Sequence, residues 1–149
     1  MGTKSEQAVG CFEEGFCCSQ AVLSVYAEEF GLAQDKALQI SCGFGGGMGR
    51  MAKTCGAVTG AFMVIGLKYG NADAREKDKK EKTYGLVREF AHRFEERNGS
   101  IVCAGLLGCD ISEPEAFQTA RERGLFASVC PRLVRDAVEI LEEMISLDT

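Results

Sequence analysis

The chain has no tryptophan, two prolines and one histidine in 149 residues. So few prolines leave long helices uninterrupted, and a single histidine gives no support to the Ser/His/Asp or Cys/His arrangements of nucleophilic catalysis. There is also no basic field: the formal net charge is -5 and the isoelectric point near 5.0, which argues against a nucleic-acid partner. No C-x-x-C pair occurs. A zinc ribbon, a thioredoxin-type redox motif and covalent c-type haem are thereby excluded. The apolar run over residues 56–67 falls well short of the roughly twenty residues that a membrane span needs. The opening MGTKSEQAVG has no signal-peptide core, so the expected setting is the reducing cytoplasm.

What the chain does contain is helical period almost throughout, with no stretch that alternates or concentrates β-branched residues as a strand would. Helices are expected over residues 5–14, stopped by Gly15, and over 19–30, with Ala21, Val22, Val25 and Tyr26 on one face. A third runs from Asp35 to the glycine loop at Gly43, and a fourth covers 55–69. The charged DAREKDKKEK places Glu76 with Lys80 and Asp78 with Lys82 at i,i+4; the helix then turns amphipathic and ends at Asn98-Gly99. Ser100 caps a short helix to Leu107 and Ser112 caps another. The last is expected to start at Cys130-Pro131 and to bury Val134, Ala137, Val138, Leu141, Met144 and Ile145. The fold class is therefore all-α, a single compact multi-helix domain over residues 1–149, built around a central glycine-striped apolar helix.

Seven glycines fall in residues 43–62, GFGGGMGRMAKTCGAVTGAF. Neither G-x-G-x-x-G nor the phosphate-loop spacing is met, and no strand precedes the run, so an ordinary tight connection is the better reading than an anion nest at Arg50. Gly56 and Gly60 form a smooth stripe. Each costs up to about 1 kcal/mol in a helix interior relative to alanine, so something must come close: another helix, a cofactor, or a second subunit, the last implying a homodimer.

The informative excess is eight cysteines. Four of them, Cys18, Cys55, Cys103 and Cys130, fall at expected helix starts, where unpaired N–H groups and the positive end of the dipole favour thiolate. They are the candidate catalytic and metal-ligating residues, and Gly56 and Gly60 the candidate cofactor-binding ones. Cys11, Cys17, Cys42 and Cys109 read as mainly packing, with Cys17 a competitor to its neighbour. His92 reads as a solvated surface residue, and the paired carboxylates as solvated faces.

The segments CSQAVL, GFGGGMGR, CGAVTGA, GSIVCAGLLG and VCPRLVRDA together resemble the C_GCAxxG_C_C family over most of the chain, from about Cys11 to Leu141. The resemblance implies redox activity and maps the family's four signature cysteines onto Cys18, Cys55, Cys103 and Cys130. It also extends to a domain of the split-Soret cytochromes, which implies an iron–sulfur centre without the haem attachment motifs. The leading expectation is a thiolate site holding an iron–sulfur or other metal centre for electron transfer with a redox partner protein, in a possible oxidoreductase. A metal-free thiol–disulfide oxidoreductase or redox sensor, and a structural zinc or helical interaction module, stay open.

Overall fold

A computed structural model describes residues 2 to 147. Its elements are α1 (Lys4–Glu13), α2 (Cys18–Ala27), a 3-10 turn (Glu28–Phe30), α3 (Gln34–Cys42), α4 (Gly56–Tyr69), α5 (Lys77–Asn98), α6 (Cys103–Leu107), α7 (Pro114–Glu122) and α8 (Leu125–Leu147). The only strand-like feature among the described residues is one isolated antiparallel bridge, Thr54 with Val102. The fold is all-α.

Capping moves several boundaries from their expected places. Thr3 caps α1, its Oγ1 accepting from the Glu6 N–H at 3.2 Å while Glu6 accepts from the Thr3 N–H. Cys17 is the cap of α2, and Cys18, one residue ahead of the expected start, is already its first residue. Glu76 precedes α5 and pairs with Lys79 at 2.9 Å, where sequence spacing had offered Lys80. Glu113, not Ser112, caps α7, with Pro114 at its first position. The largest departure is α8. It begins at Leu125, so Cys130 and Pro131 lie inside it. Pro131 has no N–H to give the Ala127 carbonyl, a loss that the apolar face from Leu133 to Met144 outweighs, because that face is buried along its length.

At the centre, α2 and α4 pack on each other. The glycine stripe explains how closely: a Cβ on Gly60 would lie 2.9 Å from the Ser19 carbonyl oxygen and 3.1 Å from Val22 Cβ, and one on Gly56 would lie 3.0 Å from the Ser19 N–H nitrogen. The stripe is thus covered by α2. Ser19 and Gln20 then fix α3, through Ser19 Oγ to the Ser41 carbonyl at 2.8 Å and Gln20 Nε2 to the Leu38 carbonyl at 2.9 Å. On the far side α5 stacks Phe90 on Phe94 and sets it edge-to-face with Phe62, and Arg97 reaches across to Asp136, Glu139 and Glu143 of α8. No helix among the described residues is long and apolar enough to cross a membrane.

Between α3 and α4 the backbone does something rare. Gly46, Gly47, Met48, Gly49, Arg50 and Ala52 all have φ between 59° and 72°, a left-handed turn that costs L-residues roughly 1–2 kcal/mol each. Glycine at three of these six positions lowers that cost. The N–H groups of residues 48 to 53 are all spent on carbonyls of the loop itself, for example Gly49 to Gly43 at 2.8 Å and Lys53 to Gly47 at 2.9 Å. Those donors are therefore committed, which removes the anion nest as a use for them.

Candidate thiol centre

Four segments deliver the four candidate cysteines to one place. Cys18 comes from the start of α2, Cys55 from the cap of α4, Cys103 from the first residue of α6 and Cys130 from the second turn of α8. Cys55 and Cys103 are held together by backbone: the Cys55 N–H donates to the Ile101 carbonyl at 2.8 Å and the Cys103 N–H to the Lys53 carbonyl at 2.6 Å, on either side of the Thr54–Val102 bridge. Cys18 and Cys55 meet because Gly56 allows Cys18 Cβ to within 3.2 Å of where its own Cβ would be.

All four thiols are buried and line one cavity of about 40 Å³. Its remaining walls are Gly46, Gly47 and Gly56 with apolar side chains such as Leu107, Ile111 and Leu133, and no carboxylate or imidazole. Gly60 does not reach it. The left-handed turn therefore has a second consequence, since it places the Gly46–Gly47 backbone against the sulfurs.

The thiols are not equivalent. Cys55 is lowered from the ordinary thiol range, chiefly because the Cys18 S–H donates to it; burial opposes this, and the N–H groups of Ala57 and Val58 add smaller lowering effects. Those two N–H groups act through the field of the helix start, as Cys55 makes no well-formed cap hydrogen bond. Cys18 is pushed far up, first by donating to Cys130, then to Cys55, then by burial. Burial pushes Cys103 up to about 12. Cys55 is thus biased toward thiolate, with Cys18, held protonated, beside it.

A pH dependence follows with a definite sign. A thiol raised above its unfolded value near 9 favours the folded state while neutral; that contribution is complete below pH 9 and is lost as pH climbs toward 12. Cys55 has the opposite sense and contributes above its unfolded value. Reduced, metal-free protein is expected to lose denaturant resistance steadily between about pH 9 and 12, and Cys103→Ser to flatten that decline. An equally steep decline in the variant would show that Cys103 does not carry it.

The other four cysteines stay apart from the cavity. Cys17 Sγ lies 3.2 Å from Ser19 Oγ, Cys11 Sγ lies 3.6 Å from Ser24 Oγ, Cys42 is exposed and Cys109 is half-buried. His92 is exposed and touches Glu96 at 2.5 Å, as a solvated pair does. Glu142 has a role that adjacency in sequence did not suggest, accepting from the buried Tyr26 hydroxyl. Sequence reasoning missed the Thr54–Val102 bridge and the cavity wall, for neither has a local signal.

As donors, four thiols in an apolar wall fit a soft metal or an iron–sulfur cluster in kind. They are not preassembled: among the described residues no group of three or more His, Cys, Asp or Glu side chains stands in metal-holding geometry. In comparisons with known proteins, residues 16–144 match the model of the family described as "Putative redox-active protein (C_GCAxxG_C_C)". No curated protein and no solved structure matches the chain.

Proposed function

Because the chain belongs to the C_GCAxxG_C_C family, we propose that Cys18, Cys55, Cys103 and Cys130 form one redox centre whose thiolates hold an iron–sulfur cluster for electron transfer. The observation that carries this reading is the cavity into which all four cysteines, and no other polar side chain, open. Protein interiors leave few voids larger than a water, so a void walled by four sulfurs suits an occupant. Zinc or copper(I) accepts the same donors; the redox character of the family argues against redox-inert zinc. When bound, such a cluster supplies one-electron chemistry.

The chain's own residues would do the following. Cys55, already biased to thiolate, provides the first ligand. Cys18 and Cys103 must release protons that burial and neighbouring sulfur hold in place, so loading liberates protons and is favoured as pH rises. Leu107, Ile111 and Leu133 keep water from the sulfurs.

One observation favours a second reading, a metal-free dithiol. A Cys55 thiol lowered from its ordinary range, with the Cys18 thiol beside it, is the arrangement that thiol–disulfide exchange uses. The Cys55 thiolate would attack an external disulfide and expel one thiolate; Cys18, losing its proton to solvent, would then displace the second and leave a Cys18–Cys55 disulfide.

Protein purified without oxygen separates the two. Broad visible absorbance with stoichiometric iron and sulfide is the expected result. A colourless, metal-free protein whose free thiols fall by two on mild oxidation would replace the cluster by the dithiol.

A further inference from the structure

Outside the thiol cavity lies a wider groove of about 210 Å³ that shares Cys18 and Cys130 with it as floor. Its walls include Phe117, Phe126, Arg50 and Arg121, and no acidic side chain. Among the described residues neither arginine pairs with a carboxylate. Arg50 is also held with φ at 66°, in the left-handed turn, and its guanidinium sits 4.2 Å from the centre of the Phe117 ring. Stacking uses the face of the guanidinium and leaves its in-plane N–H donors free for a planar anion. A strained residue kept in such a position is the kind found at binding sites.

We infer that this groove binds a small organic anion with an aromatic or branched apolar body, its charged end at Arg50 and Arg121 and its body against the packed Phe117 and Phe126 rings, beside Cys130. The groove has room for about seven waters' worth of volume, which limits the ligand to fragment size. Bidentate donors supply the recognition of a carboxylate or similar anion, and the phenylalanines exclude its neutral polar competitors. The inference rests on the reading of the cysteines as the working centre, for which it names the class of molecule that approaches.

The test uses the full chain as purified and two isosteric probes, 3-phenylpropionate and 3-phenylpropionamide, titrated calorimetrically. The acid is expected to bind at one site at least tenfold more tightly than the amide, a difference of 1.4 kcal/mol. Arg50→Gln and Arg121→Gln are each expected to weaken the acid about tenfold and to leave the amide unchanged. Arg121 lies on a regular helix, so its variant keeps the test sound if the strained loop reacts badly to change at Arg50. Equal binding of acid and amide, no binding of either, or unchanged affinity in both variants would overturn the inference. Iron and sulfide assayed on the same samples report on the cluster independently, so a metal-free protein that still selects the acid would sink the cluster and spare the groove.

Discussion

Cys55→Ser is expected to remove the redox centre while leaving the fold in place. Serine at this position is a better helix cap than cysteine, because its hydroxyl accepts well from the N–H groups of the first turn, and Cys55 makes no such bond now. The α4 start should therefore survive, with far-ultraviolet dichroism unchanged and stability within about 1 kcal/mol. The chemistry should not survive. The surroundings of Cys55 favour thiolate, and its loss takes from Cys18 an acceptor of its proton. Iron, sulfide and visible absorbance are expected to fall at least tenfold relative to the parent protein, and Cys42→Ser, on an exposed thiol, to leave them intact. Retention of the full spectrum in Cys55→Ser would remove this residue from the centre and with it the proposed ligand set. In the dithiol case the same variant would be colourless like its parent but would no longer lose two thiols on oxidation.

The sequence makes the cysteine set legible, though partly for a reason that the structure does not share. In the sequence all four read as helix-start thiols biased toward thiolate. That argument holds at Cys55. At Cys103 the helix is only five residues long, and desolvation wins over the weak field of its end, so the shift runs upward. Cys130 is not at a helix start at all, because α8 begins five residues earlier and absorbs Pro131. Proline is the strongest local signal for a boundary, and here the burial of Leu133, Val134, Ala137 and Val138 overrides it. What unites the four is convergence, which is a property of tertiary structure.

The helices themselves are legible because period 3.6 is local, and so is the meaning of the Gly56/Gly60 stripe as a close-approach surface. Its occupant is not local. Ser19 and Val22 of α2, nearly forty residues away in the chain, are what lie against it. The Thr54–Val102 bridge that sets Cys55 beside Cys103 joins residues separated by a whole α-helical hairpin, and two isolated residues have no period to detect.

The largest expected effect on stability belongs to Gly47. Its φ of 72° is one that alanine adopts only at a cost of about 1–2 kcal/mol. A Cβ there would also lie 2.6 Å from the Lys53 nitrogen and 2.7 and 2.8 Å from the Ala52 Cα and carbonyl carbon. These are backbone atoms, so no side chain can rotate out of the way. Nor is that backbone free to shift: the Lys53 carbonyl accepts from Cys103 at 2.6 Å, the Lys53 N–H donates to Gly47, and Cys55 follows two residues on. Overpacking of this kind adds about 1–3 kcal/mol, so Gly47→Ala is expected to cost about 3 kcal/mol in all. Gly49→Ala provides the comparison, for it shares the left-handed backbone with a φ of 61° but its Cβ would meet nothing nearer than the Gly43 carbonyl oxygen at 3.9 Å. It should cost about 1–2 kcal/mol and keep the centre. Denaturant titration of both variants, with iron and sulfide measured on each, separates backbone conformation from steric displacement of the residues that carry Cys55 and Cys103. If the two substitutions cost the same, the contact of Gly47 with Ala52 and Lys53 contributes nothing, and the glycine run serves chain reversal alone. If Gly47→Ala alone loses both stability and metal, the left-handed turn is the wall against which the thiol centre is built.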